Sequence, residues 1–172
     1  MKRLIEAAAI QERVAQLGRQ IADDYRGRPL TVIGVLTGSL VLVSDLIRSM
    51  ELPLRVGMIR ASSYAGPTTT GTDVSVDLNL LPDVRARDVL IVDDVFDSGR
   101  TLTAIVEQLK TAEATSVRAA VLLWKDRARE TKWTPDYFGF KIPDVFVVGY
   151  GLDYNDEHRS LPYVAALDPE DL

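Results

Sequence analysis

The chain has 172 residues, 47% of them hydrophobic and 26% charged, which is the composition of one ordinary globular domain spanning residues 1–172. A net charge of −5 argues against a general nucleic-acid binder, and the absence of cysteine excludes disulfides, thiol nucleophiles and thiolate metal sites. No apolar run approaches the ~20 residues of a membrane span, and no signal-peptide core is present. We therefore expect a cytoplasmic protein without nucleic-acid or membrane partners.

The first half of the chain alternates helical and extended patterns. Residues 5–26 place apolar side chains at helical spacing and predict an amphipathic helix, which Gly27 and Pro29 end. A short apolar strand is predicted over 31–36, a helix over 40–50 and a further strand over 54–64. The polar run 65–73, rich in threonine, is typical of a mobile loop.

The second half predicts more strands and one further helix. Its predicted elements are a half-buried strand 74–81, a strand, turn and helix within 88–110, a buried strand 116–125, and strands 136–142, 145–153 and 163–167. Strands that alternate with helices favour a mostly parallel sheet flanked by helices. The sequence therefore predicts a single α/β domain.

The most informative segment follows the apolar strand 89–92. Three carboxylates, Asp93, Asp94 and Asp97, stand at the end of that strand, where ligands bind in open α/β sheets. The adjacent acids can accept hydrogen bonds from vicinal sugar hydroxyls or bind Mg²⁺ through water. The alternative is an acidic loop in which Asp97 or the next residue only caps the following helix.

The turn Ser98-Gly99-Arg100-Thr101 comes next and leads into a helix. Unpaired N–H groups at a helix start and the positive end of its dipole favour a phosphate, and the two hydroxyls add donors. Thr37-Gly38 also lies between a strand and a helix, so it is a second candidate anion site or an ordinary glycine turn. Lys125 ends a predicted strand at the same sheet edge, where a solvated lysine is the common alternative.

The segment 89–102 resembles the phosphoribosyl-pyrophosphate motif of type I phosphoribosyltransferases, and the chain from about 33 to 169 is similar to hypoxanthine-guanine phosphoribosyltransferases. The supporting segments are 34–39, 60–64, 125–126, 138–144 and 146–155. The resemblance implies the type I fold, with a small hood and a flexible lid loop of about 62–74 that includes Ser63 and Tyr64. It also implies transfer from phosphoribosyl pyrophosphate to N9 of hypoxanthine or guanine in purine salvage, Mg²⁺ as cofactor, and a homo-oligomer (dimer or tetramer).

The resemblance assigns roles at the phosphoribosyl end of the site. Asp93, where Glu is often found, and Asp94 would hold the ribose hydroxyls, and Asp97 would act as general acid/base beside the purine N7. Residues 98–101 would wrap the 5′-phosphate, with Arg100 in place of a frequent lysine. Thr37-Gly38 would bind pyrophosphate in a loop that often has a cis peptide, and Thr37 stands where lysine is usual, so one cation is missing.

The resemblance also assigns the purine and metal positions. Lys125 would donate to the purine O6, Phe146 would stack on the ring, and the backbone of Val147 would contact the edge of the base. Asp153 also counts among the purine-binding residues and would bind Mg²⁺, mostly through waters, beside the pyrophosphate. Asp93 and Asp94 are further metal-binding candidates. Arg159 would contact pyrophosphate.

Two alternatives remain at this point. A related enzyme can use xanthine or another base, although Lys125 with Phe146 disfavours adenine, whose amino group cannot accept from an ammonium. A pyrimidine-operon regulator of the same fold binds RNA, but typically has Tyr where this chain has Asp97. The net charge of −5 also favours an enzyme over an RNA-binding regulator.

Overall fold

Six strands form the main sheet in the computed structural model, which describes residues 1–64, 73–127, 133–168 and 170. The elements in chain order are β1 (Lys2–Ile5), α1 (Ala7–Asp24), β2 (Leu30–Leu36), α2 (Leu40–Arg48), β3 (Leu54–Tyr64), β4 (Asp73–Asp77), β5 (Asp88–Phe96), α3 (Arg100–Thr111), β6 (Ser116–Asp126), β7 (Tyr137–Pro143), β8 (Val147–Val148) and β9 (Val164–Ala166).

The strand order in the main sheet is β4-β3-β2-β5-β6-β7. All neighbouring pairs are parallel except β3 with β4, which are antiparallel. The carboxyl ends of β2, β5 and β6 therefore meet at one edge of the sheet. This arrangement confirms the predicted mostly parallel α/β fold.

Helices cover both faces of the main sheet because each has one apolar stripe. The buried positions of α1 (Ile10, Val14, Leu17 and Ile21) are those that its sequence spacing predicts, and they pack with α2 in one core cluster. Leu102, Ile105 and Leu109 of α3 pack in a second cluster, with β5 between the two. No helix in the described ranges is long and apolar enough to cross a bilayer.

A second, three-stranded sheet has the order β1-β9-β8 and forms the predicted hood. Both of its pairings are antiparallel, with Lys2 and Val147 each opposite Ala166 on the two sides of β9. The hood therefore joins segments that lie far apart in the sequence.

The structure corrects four element predictions. The strand β1 was not predicted, because four residues carry little periodicity and this strand depends on its pairing with β9. The first helix begins at Ala7 and ends at Asp24, so it is shorter than 5–26. The strand predicted over 74–81 ends at Asp77.

The fourth correction concerns 145–153, which contains only the two-residue strand β8. Gly149, Tyr150 and Gly151 have φ of 95°, 52° and 100°, and strands cannot continue through left-handed backbone.

The predicted lid, 62–74, lies largely outside the described residues. Its two ends are parts of β3 and β4, which pair antiparallel from Arg60 opposite Asp77 to Tyr64 opposite Asp73. The backbone of Ser63 and Tyr64 therefore forms the end of β3.

Candidate active site

A cavity of about 330 Å³ lies at the carboxyl ends of β2 and β5. Ten residues predicted from the sequence line it: Thr37, Gly38, Asp93, Asp94, Asp97, Ser98, Gly99, Thr101, Asp153 and Arg159. The fold thus brings together side chains that the chain supplies from three separate segments.

The acidic pair Asp93 and Asp94 ends the buried part of β5. Asp93 is 7% exposed, and its Oδ1 accepts a hydrogen bond from the N–H of Asp94 at 3.0 Å. Asp94 Oδ1 accepts from the N–H of Val95 at 2.7 Å. Burial raises the pKa of both carboxyls, and the neighbouring charge of Asp94 adds to the rise for Asp93. Such carboxylates are suited to accept hydrogen bonds from hydroxyl groups or to face a cation.

The turn after β5 has the geometry of an anion site. Gly99 has φ of 87°, a conformation that glycine adopts without steric cost, and α3 begins at the next residue. Ser98 Oγ accepts from the N–H of Arg100 at 3.4 Å, and the first turn of α3 contains no acidic residue. The N–H groups in the first turn of a helix point toward its start, and together with the positive end of the helix dipole they favour an anion there.

The Thr37-Gly38 turn lies against the acidic pair. The Leu36–Thr37 peptide bond is cis, and α2 begins at Leu40. A Cβ added to Gly38 would lie 1.7 Å from Asp94 Oδ2, so only glycine leaves room for that carboxylate. The two predicted anion-binding turns are therefore parts of one cavity.

Asp153 and Arg159 form an ion pair on the cavity wall. Their Oδ1 and NH2 atoms are 2.8 Å apart, and Arg159 NH1 donates to the carbonyl of Gly151 at 2.9 Å. The guanidinium is thus held at a fixed place. Burial still raises the pKa of Asp94, and the charge of Arg159 is a smaller opposing effect.

A charged cluster lies beside the cavity at the end of β6. Lys125 Nζ is 3.7 Å from Asp97 Oδ2 and 3.5 Å from Asp144 Oδ1, and its side chain is 13% exposed. Arg127 contacts the same two carboxylates, at 2.7 Å from Asp97 Oδ1 and 3.7 Å from Asp144 Oδ2. Lys125 lies in β6 and Arg127 directly follows the strand, where its N–H donates to the carbonyl of Lys125 at 3.1 Å.

Sequence reasoning gave no role to Arg127 or Asp144. The i, i+2 spacing of Arg127 from Lys125 was the available signal. Asp144 lay in a segment used for the family resemblance, but its contact with β6 is long-range and leaves no local pattern.

One oxygen of Asp97 keeps its accepting capacity. Within the described ranges, no group donates a hydrogen bond to the buried Oδ1. The Arg127 guanidinium, 2.7 Å away, forms an ion pair with it outside hydrogen-bonding geometry. The Asp97 side chain is 38% exposed while Oδ1 is buried, so Oδ2 is the oxygen that a ligand can reach.

Four predicted residues, all among the described ones, do not line the cavity: Arg100, Lys125, Phe146 and Val147. Phe146 is 41% exposed and meets Tyr154 edge to face, with ring centroids 5.4 Å apart. Val147 is buried in β8. An exposed aromatic ring offers a stacking surface for a planar ligand.

The oxygen donors of the cavity suit Mg²⁺. Among the described residues, no group of three or more Asp, Glu or His side chains forms a metal cage by itself. Mg²⁺ is usually bound through one or two carboxylates together with waters and substrate phosphates. Asp93, Asp94 and Asp153 on one cavity wall fit that mode.

Comparisons with known proteins agree with this geometry. The model of the phosphoribosyl transferase domain family matches residues 2–155. The chain is 43% identical over 172 residues to a hypoxanthine-guanine phosphoribosyltransferase of Mycobacterium avium, covering 96% of this chain and 85% of that protein. It is also 40% identical to the bifunctional protein TilS/HprT of Listeria monocytogenes, covering 98% of this chain but 26% of that longer protein. A crystal structure of a Staphylococcus aureus hypoxanthine phosphoribosyltransferase superposes with a TM-score of 0.92 at 38% identity, covering 98% and 92% of the two chains.

Proposed function

The chain belongs to the phosphoribosyl transferase domain family, and we propose that it is an enzyme of purine salvage. It transfers the 5-phosphoribosyl group from phosphoribosyl pyrophosphate to N9 of hypoxanthine or guanine. The products are IMP or GMP and pyrophosphate. The names of its relatives, at about 40% identity over nearly the whole chain, support this base class.

One juxtaposition supports the proposal most strongly. The same cavity contains two anion-binding turns, an acidic pair between them, and a carboxylate faced by a lysine. Phosphoribosyl pyrophosphate has phosphate at both ends of a diol-bearing sugar. In the proposed complex, residues 98–101 bind the 5′-phosphate, Asp93 and Asp94 bind the ribose hydroxyls, and Thr37-Gly38 and Arg159 bind the pyrophosphate.

The purine lies beside the charged cluster. Lys125 donates to O6, Phe146 stacks on the ring, and the Val147 backbone contacts the edge of the base. As the bond from N9 to the sugar forms and pyrophosphate leaves, the purine loses a proton, which Asp97 accepts. Lys125 and Arg127 hold the Asp97 carboxylate in place, so catalysis depends mainly on positioning and electrostatics.

The proposed cofactor is Mg²⁺, held by Asp153 with Asp93 and Asp94 as neighbours. When bound, it neutralises charge on the leaving pyrophosphate. Arg159 provides the fixed positive charge that the chain itself contributes there.

We also propose that the enzyme is a cytoplasmic homo-oligomer, a dimer or tetramer, built from a single domain over 1–172. Residues 62–74, including Ser63 and Tyr64, would form the lid that excludes water from the reacting sugar centre.

A base panel tests the proposal. Hypoxanthine, guanine, xanthine, adenine and uracil are each incubated with phosphoribosyl pyrophosphate and Mg²⁺, and nucleotide formation is followed spectrophotometrically. We expect turnover with hypoxanthine and guanine, and a drop of roughly 10²–10⁴ in the Asp97→Asn variant, the usual share of general acid–base catalysis. A preference for xanthine would correct the proposed base specificity. RNA binding in a filter assay without turnover would refute the proposed enzymatic function.

A further inference from the structure

The turn that follows β8 contains an unusual tyrosine. Tyr150 lies between two glycines and has φ of 52°, a left-handed conformation that few residues with side chains adopt. Its N–H donates to the carbonyl of Leu161 at 2.7 Å, so the conformation is held by the backbone. A tyrosine in this conformation has a cost in conformational free energy, which contacts of its side chain must offset.

The side chain of Tyr150 makes one long-range hydrogen bond. Its hydroxyl donates to Asp45 Oδ2 of α2 at 2.7 Å, and the residue is 5% exposed. Burial, followed by the hydrogen bond and charge of Asp45, raises the pKa of Tyr150, so the hydroxyl remains a donor at neutral pH. The bond links the 149–153 turn to the helix that follows Thr37-Gly38.

A second contact joins the same two segments closer to the cavity. A Cβ on Gly151 would lie 2.3 Å from the carbonyl oxygen of Gly38, so the two backbones touch. The carbonyl of Gly151 in turn accepts from Arg159. The turn therefore connects the ion pair on one cavity wall with the Thr37-Gly38 turn on the other.

We propose that Tyr150 is a positioning residue for the pyrophosphate part of the site. Its hydrogen bond to Asp45 fixes α2 against the 149–153 turn, and this sets the distance from the Thr37-Gly38 turn to Asp153 and Arg159. The identity of the ligand rests on the proposed function, whereas the positioning role follows from these contacts. Loss of this hydrogen bond lets the two cavity walls separate, and it weakens the binding of a ligand group that contacts both walls.

The test compares two tyrosines that share one chemistry. Tyr150→Phe removes the bond to Asp45, and Tyr137→Phe removes a similar bond, because the hydroxyl of Tyr137 donates to Asp24 Oδ2 at 2.6 Å and the residue is 4% exposed. The Tyr137 hydroxyl also accepts from Arg118 NH1 at 3.0 Å. Tyr137 begins β7, at the end of the sheet opposite the cavity. Tyr137→Phe should therefore lose at least as much stability in thermal unfolding as Tyr150→Phe, which controls for a general structural effect.

Pyrophosphate affinity, measured by titration calorimetry with Mg²⁺ present, separates the two variants. Tyr150→Phe should weaken it roughly threefold to tenfold, the equivalent of about one net hydrogen bond, and should raise the KM for phosphoribosyl pyrophosphate alike. The purine KM should change less than the pyrophosphate affinity, since the proposed O6 donor, Lys125, belongs to β6 and not to α2 or the 149–153 turn. Tyr137→Phe should leave all three values unchanged.

Asp45 supplies the complementary variants. Asp45→Asn keeps an acceptor and should behave as the unaltered protein, whereas Asp45→Ala should match Tyr150→Phe, and the double variant should be no weaker than either. Unchanged pyrophosphate affinity in Tyr150→Phe would overturn the inference, as would an equal loss in Tyr137→Phe. If the unaltered chain binds pyrophosphate but converts no base, the proposed function fails while the positioning role is still measured.

Discussion

Gly38→Ala is the sharpest single test of the site geometry. The added Cβ would lie 1.7 Å from Asp94 Oδ2 and 2.7 Å from its Cγ, whereas carbon atoms pack at about 3.5–4.0 Å from their neighbours. Either the Asp94 carboxylate or the Thr37-Gly38 turn must therefore move by more than about 1 Å. Gly38 does not have left-handed backbone, so the effect of alanine is steric.

The expected result is a large loss of activity with modest loss of stability. A displacement of ~1 Å in a positioned group can lower kcat/KM by about 100-fold. Crowding of this kind costs about 1–3 kcal/mol of unfolding free energy. Steady-state kinetics with hypoxanthine and phosphoribosyl pyrophosphate measure the first quantity, and urea unfolding measures the second.

Gly27→Ala is the matched control, because a Cβ at Gly27 meets no atom within 4 Å and its φ of 73° makes alanine strained. It should lose about 1–2 kcal/mol of stability and keep its activity. A Gly38→Ala enzyme within threefold of the unaltered kcat/KM would show that Asp94 and this turn do not act together on the substrate.

The remaining predictions concern two binding residues and one structural ion pair. Lys125→Ala should weaken hypoxanthine and guanine binding by about 10- to 150-fold, the equivalent of a charge-assisted hydrogen bond. Phosphoribosyl-pyrophosphate binding should stay nearly unchanged, and equal losses for both substrates would refute the proposed O6 contact. Thr37→Lys adds a cation to the cavity wall and should tighten pyrophosphate several-fold, with a gain that shrinks in added salt; inhibition by pyrophosphate at two ionic strengths decides it. Burial alone would raise the pKa of Asp88, but hydrogen bonds from Arg28 and Ser116 outweigh burial and lower that pKa. The Arg28–Asp88 ion pair therefore stabilises the fold above about pH 4, and this stabilisation is lost as the pH falls further. The difference in unfolding free energy between the unaltered protein and Arg28→Gln should therefore be largest near pH 7 and shrink below about pH 4.

The parts of the site that are local in sequence could be predicted. Residues 93–101 stand between a strand and a helix, so their placement at a sheet edge follows from the hydrophobic pattern and from helix-end chemistry. The same is true of Thr37-Gly38. The contact between Gly38 and Asp94 is different, since it depends on how β2 pairs with β5.

The parts that depend on tertiary contacts could not be predicted from the residues. Arg127 reaches Asp97 and Asp144 only because β6 lies between β5 and β7. The apolar run 145–153 favoured a long strand, but the left-handed backbone at Tyr150 is accompanied by two long-range contacts that leave no local pattern. Its N–H donates to the carbonyl of Leu161, and its hydroxyl donates to Asp45, more than a hundred residues earlier.

The hood and the main sheet position different parts of the site, and their local stabilities differ. Its strands are two to four residues long, whereas β5 and β6 have nine and eleven, so far fewer ladder hydrogen bonds hold the hood. Segments of this kind open locally at a lower free energy than global unfolding. Phe146 directly precedes β8 and Asp153 follows in the turn after it, while Ser98 lies in the turn between β5 and α3. A ligand that contacts both Asp153 and Ser98 therefore opposes local opening of the hood. Amide hydrogen exchange at β8 and β9 would slow when such a ligand binds.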